Sequence, residues 1–239
     1  MLPLRDNVPA RKLPLVNVAL IGANALVFLY QIGLKPNALN QFVIRYGMIP
    51  ARLELLHPQS WVPLLTAIFL HGGWLHFLSN MWVLFIFGDN VEDRMGHLRY
   101  LSFYLLGGIA AGLVHVVVSP GSRIPSIGAS GAIAAVLGAY LLYFPRARVL
   151  TLVLIFIYPW IIEVSAFVYL GIWFFLQLFS GISALSMPAG ASMGGVAWWA
   201  HVGGFVYGLL VARPFARLTA VSYQKPIPPT RPPDDDWSF

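Results

Sequence analysis

Between Glu54 and Asp89 the chain carries no lysine, arginine, aspartate or glutamate, and long apolar runs divided by one or two charges recur along most of its length. Apolar stretches of about 20 residues are what a hydrocarbon core of about 30 Å accepts as single helices. Composition agrees. Of 239 residues, 58% are hydrophobic and 10% charged, against about 25% charged in soluble domains, which excludes a soluble globular class. Six spans would use about half the chain and leave little besides loops and tails. The sequence describes one polytopic membrane domain of the all-α class.

The net charge of +6 does not point to nucleic acid, because the 15 Lys and Arg stand singly or in pairs between apolar runs rather than on one basic face. They read as topology signals. With no cysteine there is no disulfide framework, no thiolate nucleophile and no Cys-ligated metal.

The first apolar run is too long and too well flanked by Arg5, Arg11 and Lys12 for a cleaved signal peptide. Residues 1–14 are read as a cytoplasmic N-terminal segment and 15–213 as the membrane domain. Residues 214–239, with their prolines and Asp234, Asp235 and Asp236, are read as a disordered cytoplasmic tail. The spans fall near 16–34, 73–88, 100–119, 128–144, 165–182 and 195–211. Stretch 55–63, with His57, Pro58, Gln59, Trp61 and Pro63, reads as an ordered interfacial loop. Stretch 149–158 is apolar but too short to span, and reads as a buried or interfacial excursion. The fourth span covers only about 25 Å at 1.5 Å per residue, so one of its ends lies below the membrane surface. Six spans put both termini on one side. Assigning that side as cytoplasmic, in a cell (inner) membrane, places eleven basic residues inside and four outside, namely Lys35, Arg45, Arg52 and Arg123.

Polar side chains in hydrocarbon are costly, so each one in a span is a candidate for function. Ser130 opens the fourth span within Gly128-Ala129-Ser130-Gly131, where a helix start leaves backbone N–H groups unpaired and aimed at any oxyanion. His201 lies in the sixth span, and His76 and Asn80 share one face of the second. Alone, a serine in a membrane helix more often packs or bonds back to its own helix, and a histidine more often links two helices. The glycines change the weighting. His201, Gly204 and Gly208 form one stripe, and Ser130, Ala134 and Gly138 a matching one, so the two spans can approach until hydroxyl meets imidazole. All four polar residues fall in the outer half of the membrane in this topology.

The motif Gly128-Ala129-Ser130-Gly131, the later His201 with Gly204 and Gly208, the upstream His71, His76 and Asn80, and Glu92 to Arg94 resemble those of the rhomboid intramembrane serine proteases, in order, from about Gln41 to Arg213. The resemblance implies a six-span bundle with Ser130 as nucleophile and His201 as general base and then acid. It also implies an oxyanion site shared by His76, Asn80 and the Ser130 N–H. Transmembrane protein substrates would enter laterally from the lipid bilayer past the fifth span and first loop, with loop 184–194 capping the site. Two departures stand out. Ala134 occupies the position of an aromatic residue that stacks on the histidine in some relatives, and Trp61-Val62 replaces a Trp-Arg pair.

Among the remaining histidines, His115 reads as a structural hydrogen-bonding residue and His97 as solvated. No pair of histidines has the spacing of a zinc helix, and no phosphate-binding glycine loop occurs; neither metal nor cofactor is expected. The nine acidic residues give no expected third member of a triad, since Asp89 and Glu163 fall at the inner ends of their spans. Imidazole orientation is then expected from packing between spans four and six, a backbone carbonyl or water. Two alternatives remain: an inactive relative that captures membrane clients, and a transporter with polar lining residues.

Overall fold

The computed structural model describes residues 1–185 and 196–217. Its centre is the helix with no polar face. Helix α6 (Ser130–Tyr143) is apolar on every side and buries each residue from Gly131 to Tyr140, as a helix surrounded by other helices does. Around it stand α4 (Trp74–Met95), α5 (His97–Val118), α7 (Ala166–Leu185) and α8 (Trp198–Phe215), with α1 (Leu15–Ile32) outside, packed on α4. Helices α1, α5 and α7 are each long and apolar enough to cross a bilayer, and Pro58–Phe69 with α4 forms a fourth such unit, bent by 82°. At about 21 Å, α6 is shorter than the hydrocarbon core. It can be short because other helices, rather than lipid, surround it from Gly131 to Tyr140. The outward faces carry Leu26, Phe85, Phe175, Phe179 and Leu210 exposed, an apolar surface suited to acyl chains.

The expected helical bundle is therefore present, with shifted bounds. Helix α4 runs past Gly88 through Asp89, Glu92 and Arg94, so the Glu-x-Arg element lies on the helix rather than after it. Stretch 55–63 holds a turn of 3₁₀ helix at Pro58–Trp61, leading into the short α3 (Val62–Thr66). Its Trp61 indole N–H donates to the Glu54 carbonyl. A surface helix, α2 (Pro36–Tyr46), buries no residue. Loop 186–194 and tail 218–239 lie outside the described residues.

The all-helical expectation omits one element. Strands β2 (Arg148–Ile155) and β3 (Tyr158–Ser165) form an antiparallel hairpin turning at Phe156 and Ile157, and β1 (Leu2–Asp6) pairs with the other edge of β2. Stretch 149–158 is thus a hairpin strand and turn. It is rich in β-branched and aromatic residues and its length suits a strand. The N-terminal segment, expected as a cytoplasmic extension, is tied to the body. Trp82 donates its indole N–H to the Pro3 carbonyl at 2.7 Å, and the Asp6 carboxylate accepts from Asn90 Nδ2 at 2.8 Å and from the Tyr140 hydroxyl.

Glu92 is 1% exposed and accepts from the Val16 and Asn17 amides at 2.9 and 2.7 Å, at the start of α1; His97 approaches the same carboxylate. A carboxylate there satisfies amides that the helix leaves unpaired and sits at the positive end of its dipole. Glu92 therefore acts on α1 and His97, while the Arg94 guanidinium lies over the Tyr143 ring. His97, expected as solvated, has a side chain 39% exposed and also meets that carboxylate.

Burial pushes the Asp6 carboxyl up to about 6 against its hydrogen bonds. Its folded-state pKa lies above the unfolded one, so the folded state gains from protonation. Stability from this group is full below about pH 4 and falls as pH rises through 6. Asp6→Asn is expected to flatten the pH dependence of the thermal midpoint between pH 4 and 7. The change at pH 7 should be on the order of 1 kcal/mol, because the half-buried group is still reached by water. An unchanged slope in the variant would place the titration elsewhere.

Candidate active site

Ser130 is the first residue of α6, after Ala129 as N-cap. The first amide bonded within the helix is that of Ile133, to the Ala129 carbonyl at 2.9 Å. Among the described residues the Ser130, Gly131 and Ala132 amides are thus the unpaired donors of the helix start. His201 sits in the first turn of α8, which begins at Trp198. Its Nε2 lies 2.7 Å from Ser130 Oγ.

That approach rests on missing side chains. A Cβ at Gly204 would stand 2.1 Å from the Gly131 carbonyl oxygen, one at Gly208 2.2 Å from that of Ala135, and one at Gly138 2.3 Å from that of Phe205. The two expected stripes face each other, and Ala134 packs against Gly204.

His76 and Asn80 reach the same place from α4. The Gly72 amide donates to His76 Nδ1 at 3.3 Å, which leaves the ring proton on Nε2. A Cβ at Gly128 would lie 2.7 Å from that Nε2 and 3.6 Å from Asn80 Nδ2, so both donors converge beside Ser130. Gly128 has a φ of +126°; it combines a backbone that favours glycine with a space already held by the imidazole. Asn80 is buried, and its Nδ2 has no partner among the described residues. An unmet buried donor is costly, and an incoming oxyanion would satisfy it. His71 stands edge-on to His76 with centroids 5.2 Å apart, held through its backbone by Gln31.

Ser130, His201, His76 and Asn80 line one cavity of about 860 Å³, whose lining includes the exposed Trp74, Leu75 and Ile124. It therefore opens to the protein surface beside the serine. His115, expected to hydrogen-bond, has Nδ1 buried without a partner among the described residues. No group of three or more His, Cys, Asp or Glu able to hold a metal occurs among the described residues.

One residue at the site has no counterpart in the sequence expectations. Gln177 on α7 is 8% exposed, and its Oε1 lies 2.8 Å from His201 Nδ1. The imidazole is flanked by Trp173 and Trp198, with centroids 6.0 and 6.2 Å away. The imidazole thus meets a side-chain amide at Nδ1 and two indoles, neighbours that the expectation of packing between spans four and six, a backbone carbonyl or water did not include. An amide alone among apolar neighbours in the fifth span was the available signal.

Known proteins share this pattern. The Rhomboid domain family matches residues 58–218. The chain is 33% identical over 131 residues to the mitochondrial presenilin-associated rhomboid-like protein of Rattus norvegicus, covering 54% of this chain and 33% of that protein. It is 40% identical over 74 residues to chloroplastic Rhomboid-like protein 11 of Arabidopsis thaliana, covering 31% and 26%. With RHOMBOID-like protein 5 of the same plant it shares 40% over 79 residues, covering 33% and 25%. The matches thus span a quarter to a third of these relatives' lengths. A domain match over most of the chain, coinciding with the helices that carry the site, makes this a multi-pass membrane protein of the rhomboid family.

Proposed function

We propose that this rhomboid protein is a serine endopeptidase that hydrolyses peptide bonds in or near the transmembrane segments of other membrane proteins. The observation that carries the reading is the 2.7 Å contact between Ser130 Oγ and His201 Nε2 at the mouth of an open cavity. A neutral imidazole whose Nε2 accepts from the hydroxyl can take that proton as oxygen attacks a carbonyl, then deliver it to the leaving amine. The His76 Nε2–H, Asn80 Nδ2 and Ser130 N–H would receive the oxyanion. The substrate would enter laterally from the bilayer and unwind locally to present its carbonyl. The excess of basic residues in the segments assigned inward supports both termini being cytoplasmic.

In proteoliposomes with a panel of single-span substrates, wild type is expected to release products and Ser130→Ala none. Capture by both with cleavage by neither would support the inactive-relative reading instead. Asn80→Ala and His76→Ala are each expected to lower turnover about 10²- to 10³-fold, the usual cost of one oxyanion donor. Capture should change less, because the charge appears only in the transition state. Unchanged turnover in the folded double variant would remove both residues from the mechanism.

A further inference from the structure

We infer that Gln177 is the positioning residue of the dyad, fixing His201 in the tautomer that can act as a base; this rests on the serine endopeptidase reading above. Gln177 Nε2 donates to the Trp173 carbonyl one turn back in α7, at 3.4 Å. That bond turns Oε1 toward His201, where it lies 2.8 Å from Nδ1. A carbonyl oxygen can only accept. Nδ1 must therefore carry the hydrogen, and in a neutral ring Nε2 is left with the lone pair that faces Ser130 Oγ. The opposite tautomer would set a lone pair against Oε1 and an N–H against the hydroxyl, with no base available.

The indoles cannot make this choice. Trp173 lies at 35° to the imidazole and Trp198 nearly perpendicular to it; they limit ring tilt but do not distinguish one ring nitrogen from the other. Ala134, at the position where some relatives have an aromatic support, meets Gly204 instead. Helix α7 is held to α8 by Phe174 stacked on Phe205 at 4.8 Å, which keeps the amide in register with the imidazole. The arrangement has the geometry of a triad with a neutral third member: it orients the base without supplying a charge to stabilise the imidazolium.

The test uses the full-length protein in lipid nanodiscs, with wild type, Gln177→Leu, Gln177→Glu and, for assignment, His201→Ala. Long-range nitrogen–proton spectra of the nitrogen-15 histidine-labelled protein should show the Nδ1–H tautomer at His201 in wild type and a mixture in Gln177→Leu. Gln177→Leu retains the apolar bulk and should stay folded, with kcat lowered about 10- to 100-fold and KM little changed. Gln177→Glu should restore much of the loss. Its carboxylate favours the protonated ring, so the acid limb of kcat/KM should move up by about one to two pH units. A packing role would leave that limb and the tautomer where they are in wild type. A folded Gln177→Leu with wild-type kcat and an unmixed Nδ1–H signal would overturn the inference. The spectra need no turnover. A wild type that cleaves nothing, yet loses its tautomer preference in Gln177→Leu, would refute the protease reading while showing that Gln177 selects the His201 tautomer.

Discussion

His201→Ala is expected to abolish fluorophosphonate labelling of Ser130 and to lower turnover by about 10⁴- to 10⁶-fold, as removal of the base does in serine hydrolases whose groups act as a unit. Asp89→Asn and Glu163→Gln should label like wild type wherever they fold. Glu163 lies on the outer strand of the hairpin, paired opposite Leu150, and Asp89 lies close enough to Asp6 to repel it. Asp6 in turn bonds Tyr140, ten residues along α6 from Ser130 and so about 15 Å down the helix. Neither carboxylate can reach an imidazole whose Nδ1 is already met by Gln177. A folded Asp89 or Glu163 variant that fails to label would show that a charged third member operates.

Gly204→Ala and Gly208→Ala should disrupt the protein far more than the same change at glycines with open space around them. At both positions the added carbon would meet a backbone oxygen, 2.1 and 2.2 Å away, and a carbonyl within a helix cannot step aside as a side-chain tip can. Overpacking typically costs about 1 to 3 kcal/mol, and the backbone clash puts these variants at or above the upper end. The midpoint of thermal unfolding should fall by several degrees. Ser130 should cease to label even in the folded fraction, because α6 and α8 must separate by about an ångström or more to admit the side chain. Gly22→Ala and Gly171→Ala are the matched controls. Nothing lies within 4 Å of a Cβ at either, and the helix gains up to about 1 kcal/mol in propensity. Equal losses at all four sites would mean that the close approach does not hold the site together.

The bundle and the polar groups on it were legible because both are written locally. Apolar runs of bilayer length declare the helices, and a serine, two histidines and an asparagine inside such runs are conspicuous. Facing glycines at helical spacing also announced which helices touch. Gln177 was harder to see. Its importance comes from lying opposite His201 across a helix interface, and an uncharged amide in the fifth span gives no sign of its partner until two helices are docked. The sheet escaped for a related reason. Val149 to Ile155 has strand composition, but Leu-Pro-Leu-Arg-Asp at β1 has almost none, and it is a strand only because β2 offers an open edge. Glu92 stands beside Arg94 in the motif, whereas it bonds His97 five residues on and two amides 75 and 76 residues away, at the start of α1.

The pairing of β1 with β2 also bears on the order in which the molecule can be assembled. Leu2 sits opposite Leu152, and the Asn7 side chain accepts from the Arg148 amide 141 residues on. Synthesis runs toward the C-terminus, so β1 has no strand to join until α1, α4, α5 and α6 have been delivered behind it. Closing so long a loop is entropically costly and slow compared with forming a helix hairpin. Until it closes, β1 and then β2 are open edges that another chain could occupy. Strand β1 is thus made before its partner and secured only after it, and it holds, through Asp6 and Tyr140, the far end of the helix that begins with Ser130.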